Sequence, residues 1–127
     1  EHGRAREAIA PLRRAVELDS DSGLLKIMLG HALVETGDAS RMQEAIRYLT
    51  QGLQVDPNVP NGYRQLGRAY AATGDLGMAQ LVTAEGLFTN GEYEDARLQA
   101  SRAQTRFNAG TPAWLRAEDI LVYVPPR

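Results

Sequence analysis

Small and apolar residues recur at spacings of three and four along almost the whole chain, the period that lays them on one face of an α-helix. Ala8, Leu12 and Ala15 form one such set, and Ala45, Leu49 and Gly52 a second. Tyr63, Leu66, Gly67 and Tyr70 form a third, and Ala96, Ala100 and Ala103 a fourth. Glycine, proline, aspartate and asparagine fall between the sets, where they break helices or cap them. The pattern predicts seven helices, over about 4–18, 23–35, 41–54, 60–73, 76–89 and 93–107, with a short last one opened by Thr111-Pro112. Asp19-Ser20-Asp21-Ser22-Gly23 offers side-chain oxygens to cap the second helix. Val55-Asp56-Pro57 stops the third, because proline cannot continue a helix interior. Val122 to Arg127 is a tail closed by two prolines.

The helices carry a longer period. Gly-x-x-x-x-Ala opens at Gly3, Gly37, Gly74 and Gly91, with three extra residues in the second copy, and Ala45 to Ala79 is 34 residues. These are helix-turn-helix units, none of which can bury its apolar face without a stacked neighbour. The fourth helix, with Tyr63, Leu66-Gly67 and Tyr70, resembles the aromatic-x-x-Leu-Gly-x-x-Tyr signature of tetratricopeptide (TPR) repeats. In the second helix Leu29-Gly30 and Leu33 fill the same places, with Lys26 where the first aromatic stands. The resemblance implies an all-α, TPR-like α-solenoid of about seven antiparallel helices wound as a right-handed superhelix. It would be one domain over 1–127: a partial repeat 1–22, repeats 23–59 and 60–90, and an irregular repeat with a C-terminal cap, 91–127. Gly91 follows Gly74 by only 17 residues, so the helix over 76–89 must serve both neighbours. Glu1-His2-Gly3 is expected to enter a repeat at its inter-helix turn, as the start of an excised C-terminal piece.

Composition narrows the function classes. Hydrophobic residues are 43%, charged residues 24% and aromatic residues 6%, which with abundant alanine favours closely packed helices over a sheet. A net charge of -2 makes no case for nucleic acid, and the arginines at 4, 6, 13 and 14 are diluted by Glu1, Glu7 and Glu17. With zero cysteines there is neither a disulfide nor a thiolate metal site. No run approaches the roughly 18 apolar residues of a membrane span, so direct membrane insertion is not expected.

The C-terminal third resembles a narrower group. Ala79 to Ala84-Glu85, Gly91-Glu92-Tyr93-Glu94-Asp95-Ala96 and Ser101-Arg102-Ala103 look like the last repeats of bacterial HtpX-related zinc metallopeptidases with TPR tails. Gly110-Thr111-Pro112-Ala113-Trp114-Leu115-Arg116-Ala117-Glu118-Asp119-Ile120 carries the most specific part, and Ala8-Ile9-Ala10-Pro11-Leu12-Arg13-Arg14-Ala15-Val16 is similar to the same proteins further upstream. The resemblance implies a periplasmic protease of outer-membrane protein quality control. Its TPR region would dock on the peptidase domain and recruit clients or the outer-membrane assembly machinery. The zinc belongs to a His-Glu-x-x-His domain that this chain lacks, since His2 and His31 are its only histidines. Neither catalytic nor cofactor-binding residues are therefore expected here, and a free-standing TPR adaptor or co-chaperone is the alternative.

A protein or peptide partner is the expected ligand. Asn61, Arg64 and Arg68 recur on the side of the fourth helix opposite Leu66-Gly67-Tyr70, and the second helix would add Lys26, Ile27 and His31 to the same groove. Guanidinium groups suit an acidic or carboxylate-bearing peptide. Co-chaperone TPRs that clamp a Glu-Glu-Val-Asp terminus need a lysine and an asparagine where this chain has Ile27 and His31, so that ligand is not implied. Asp19-x-Asp21 lacks the remaining ligands of a calcium loop and is read as capping. Trp114 is expected to be buried near Ala100, Ala103 and Phe107 and, with Leu115 and Ile120, to close the stack.

Overall fold

The computed structural model describes residues 2–126; Glu1 and Arg127, and what was expected of them, lie outside that range. It contains seven α-helices: α1 His2–Leu18, α2 Gly23–Glu35, α3 Met42–Val55, α4 Pro60–Ala72, α5 Leu76–Thr89, α6 Tyr93–Gln104 and α7 Pro112–Val122. A 3-10 turn, Ala39–Arg41, absorbs the three extra residues before α3. Ser22 and Thr111 cap as the sequence offers, and Asp75 adds a third cap. Ser22 accepts from the Leu25 N–H at 3.1 Å, Asp75 from the Met78 N–H at 3.1 Å, and Thr111 from the Trp114 N–H at 3.4 Å. Pro11 lies inside α1 at an exposed position, where water can take the carbonyl that the missing N–H leaves free.

Gly74 and Gly91 end α4 and α5 in the left-handed region, at φ 84° and 81°. In both turns the next residue's N–H reaches back five residues, Asp75 to the Tyr70 carbonyl at 3.0 Å and Glu92 to the Leu87 carbonyl at 2.9 Å. That bond, with the glycine's own three-residue bond, satisfies the last carbonyls of each helix. The turn expected at His2-Gly3 is not formed, and both residues are helical. The first turn of α1 instead packs on the end of α2, where a Cβ at Gly37 would stand 3.2 Å from the His2 ring.

Each helix packs on its chain neighbours, and two further pairings set the architecture: α4 lies along α2, and α7 lies along α5. The chain thus stacks regularly as far as α5 and then shifts by one helix. α6 pairs with α5 as closely as α3 pairs with α2, and α7 takes beside α5 the place that α4 has beside α2. The helix expected to serve both neighbours does so. Two apolar clusters result. Leu29, Leu33 and Leu49 are fully buried in the first, with Ile27, Leu53, Leu66 and Val82 around them. The second has Leu81, Ala84, Ala96, Ala100, Ala103, Ala117 and Ile120, and Met78 packs against both.

The cap is built differently from expectation. Ala117 and Ile120 are buried, but Leu115 is 48% exposed, and Trp114 is half-buried outside the apolar cluster. The facing side of α6 is a row of fully buried alanines, which brings α7 too close for an indole to enter. Ala113, Ala117, Ile120 and Leu121 fill that seam. Trp114 is held at its flank, where its carbonyl accepts from Gln104 Nε2 at 3.4 Å.

Candidate protein-binding groove

The seam between α2 and α4 gathers three of the residues singled out in the sequence. Asn61 Nδ2 is 3.5 Å from His31 Nδ1, and His31 Nε2 is 3.4 Å from a Glu35 carboxylate oxygen. Arg68 Nη1 donates to that same Glu35 oxygen at 2.7 Å and to Gln65 Oε1 at 3.0 Å. The bond from Arg68 holds the Glu35 carboxyl below the usual carboxylate range. Gln65 is a buried polar side chain, and Arg68 satisfies its oxygen. Glu35 is the centre of this cluster and was not expected there. Its spacing of four from His31 was the available signal.

Two other candidates are placed elsewhere. Ile27 is 4% exposed and belongs to the core, under α4, where a Cβ at Gly62 would meet Leu53 and Ile27. An isoleucine beside two glycine positions, Gly52 and Gly62, is a packing residue, and it does not line the groove. Lys26 is half-buried and five residues before His31, so it points about 140° away around the helix. It shares the face of Gly30 and Leu33, which turns toward α3.

Arg64 stands apart from the cluster. It is exposed, and among the described residues nothing hydrogen-bonds or ion-pairs with it. It forms one bank of a groove of about 500 Å³ that runs between α4 and α5. Gly67, Ala71, Ala79, Thr83 and Gly86 make the floor, and Leu87, Asn90 and Glu92 the other bank. The floor is low because its residues are small. A Cβ at Gly86 would lie 2.7 Å from that of Tyr63, so only glycine lets the helices meet there. Asn90 Nδ2 holds Glu92 at 2.8 Å, which occupies the carboxylate on that bank.

A second cleft, of about 570 Å³, was not legible in the sequence. It opens between α3, α4, α5 and α7, with Leu53, Leu66, Phe88 and Ile120 among its walls. Arg116 bridges it to Glu85 by two bonds, of 3.0 Å and 2.6 Å. The two residues are 31 positions apart, and they meet only because α7 lies along α5. Burial pushes the Tyr70 phenol behind them above its ordinary value. The pair engages its own charges, and Asp119 with Thr50, Gln54 and Thr89 adds polar groups to the apolar walls.

Stacked helix pairs with glycine turns, Leu-Gly close approaches and a groove along one helix define a helical-repeat binding scaffold. No family model matches the chain. It is 32% identical over 99 residues to a TPR repeat-containing protein of Pseudomonas aeruginosa, a match that covers 78% of this chain and 90% of that protein. The chain belongs to the TPR repeat-containing proteins.

Proposed function

We propose that the chain binds an acidic or carboxylate-bearing protein segment in the groove between α4 and α5, with Arg64 as the principal charged contact. The observation that carries this reading is the state of Arg64: it is an exposed guanidinium on the bank of a groove floored by small residues, while its neighbour Arg68 is already engaged by Glu35. A planar donor fork with no internal partner matches a carboxylate in bidentate fashion. A pull-down of partners with the intact chain, repeated with Arg64→Glu and Arg64→Lys, tests it. Charge reversal should abolish capture of the main partner and lysine should retain part of it; equal capture by all three would place binding elsewhere.

The setting we propose for this scaffold is the TPR region of a periplasmic zinc metallopeptidase of outer-membrane quality control, with the peptidase domain or the assembly machinery as partner. What supports it is the Trp-Leu-Arg-Ala-x-Asp-Ile resemblance over Gly110 to Ile120. A free-standing adaptor is a second reading. It is favoured by the match to the Pseudomonas aeruginosa protein, 90% of which is covered by this stretch. Sequencing the gene upstream decides between them, since a His-Glu-x-x-His domain in frame supports the first and a start codon close to the first repeat the second.

A further inference from the structure

The groove between α4 and α5 has an internal template. Leu66-Gly67 of α4 corresponds to Leu29-Gly30 of α2, which sets Arg64 opposite Ile27 and Arg68 opposite His31. On the partner helices Ala79 corresponds to Ala45, Thr83 to Leu49, and Gly86 to Gly52. The α2/α3 surface so defined is a seat already filled by a helix. α4 lies on it, with Gly62 over Ile27 and Leu53 and Asn61 beside His31. On α4/α5 the equivalent seat is open. In a regular stack the next helix would cover it, but α6 does not run along α4 as α4 runs along α2.

We infer that the α4/α5 groove is a helix seat, and that its occupant is an acidic amphipathic helix from a partner protein, small where α4 has Gly62 and acidic at the positions beside it, within reach of Arg64 and, where α4 has Asn61, of Arg68. The inference rests on the proposed function above and specifies the conformation and chemistry of the ligand. The small floor residues allow close axial approach, as they do within the chain. The substitutions between the filled and open seats set the charge. Where α4 meets apolar Ile27, the occupant meets Arg64, and where Asn61 meets His31, it meets Arg68. Arg68 spends Nη1 on Glu35 and Gln65 and keeps further donors, being 52% exposed. Thr83 in place of fully buried Leu49 makes the floor more polar, as suits a seat left open to water. Glu92 lies at the Pro60 end, held by Asn90, so the acidic residues of the occupant belong away from it, along Arg64 and Arg68.

The test uses the whole chain and a fluorescein-labelled peptide spanning residues 58–73. The peptide carries Asn61→Glu, Arg64→Glu and Arg68→Glu, with Tyr63→Gln and Tyr70→Gln for solubility, and keeps Leu66 and Ala69, which belong to the first apolar cluster in α4 itself, as its apolar face. A second peptide adds Gln65→Pro to prevent helix formation, and a third has lysine in place of the three glutamates. Fluorescence anisotropy should show the first binding at least tenfold more tightly than the other two. In the protein, Arg64→Glu, and Ala71→Trp on the groove floor, should each weaken it at least tenfold while circular dichroism shows both variants folded. Equal binding of the proline peptide, still lost in Arg64→Glu, would mean that the groove takes an extended acidic segment; the helix seat then falls and the proposed function stands. If no peptide binds, the seat is overturned, and the pull-down with Arg64→Glu decides the broader reading separately.

Discussion

Arg64 and Arg68 differ in what each does for the fold, although both are exposed and one turn apart on the same helix. Arg64→Glu removes no internal bond, so thermal stability should change by less than about 0.5 kcal/mol. Arg68→Glu sets a carboxylate beside Glu35 and leaves the buried Gln65 oxygen without its donor, at a cost of about 1 kcal/mol, because the Arg68–Glu35 pair is largely solvent-screened. Chemical denaturation of the two variants side by side checks this; equal stabilities would mean that the Glu35 cluster contributes nothing. Glycines separate in the same way. Gly86→Ala must displace Tyr63, whose Cβ is attached to backbone and cannot yield, so overpacking of about 1–3 kcal/mol should outweigh the roughly 1 kcal/mol of improved helix propensity. Gly67→Ala comes close only to the Thr83 hydroxyl, at 3.2 Å, with the Ala79 carbonyl and Val82 at ordinary contact distance, and should be close to neutral in the same melting experiment.

At the scale of elements, most of the helices were legible because each begins or ends on chemistry that acts within a few residues. Ser22, Asp75 and Thr111 cap, and Gly37, Gly74 and Gly91 turn. The double role of α5 was legible too, from the short spacing between two glycine turns. What could not be read was the depth of each face. Ile27 and His31 lie four residues apart in α2, yet one is under α4 and the other at its edge, and the difference depends on where Gly62 crosses. Trp114 had the size of a cap residue, but the alanine row of α6 sets a separation that excludes it. The stability of the cap should therefore depend on Ile120 more than on Trp114. Ile120→Ala should cost about 2–5 kcal/mol, and Trp114→Ala clearly less, in urea titrations. The reverse order would return the indole to the core. As the single tryptophan, Trp114 should also show iodide quenching between that of buried and free indole.

For the whole molecule, ion pairs between non-adjacent helices tie the stack together and give its stability a pH dependence. Arg13 of α1 bridges to Glu44 of α3, with Nη2 to Oε1 at 2.8 Å, and Arg68 of α4 to Glu35 of α2. In each pair the arginine bond is the main cause that holds the carboxyl below its ordinary value. A carboxyl depressed in the folded state adds stability that is present above its unfolded pKa and is lost as pH falls toward the folded value. Between the two values the unfolded chain binds more protons. The melting temperature should therefore hold through neutral pH and decline once pH drops below about 4. Glu35→Gln together with Glu44→Gln should flatten that decline, and an unchanged acid limb in the double variant would assign the effect to other carboxylates.

Sharing α5 between two stacks also has a mechanical meaning. A chain drawn from its C-terminus must surrender α7 and α6 first, for these are the helices whose apolar residues belong to the second cluster alone. The load then reaches a helix that still presents Val82 and Met78 to the first cluster. Extension should pause there, giving two rips of unequal length in an optical-trap trace, with α5 as the latch between them. A tether attached at the tail could in this way release the last two helices under load while the groove's far bank, and the Arg64 that faces it, remain standing.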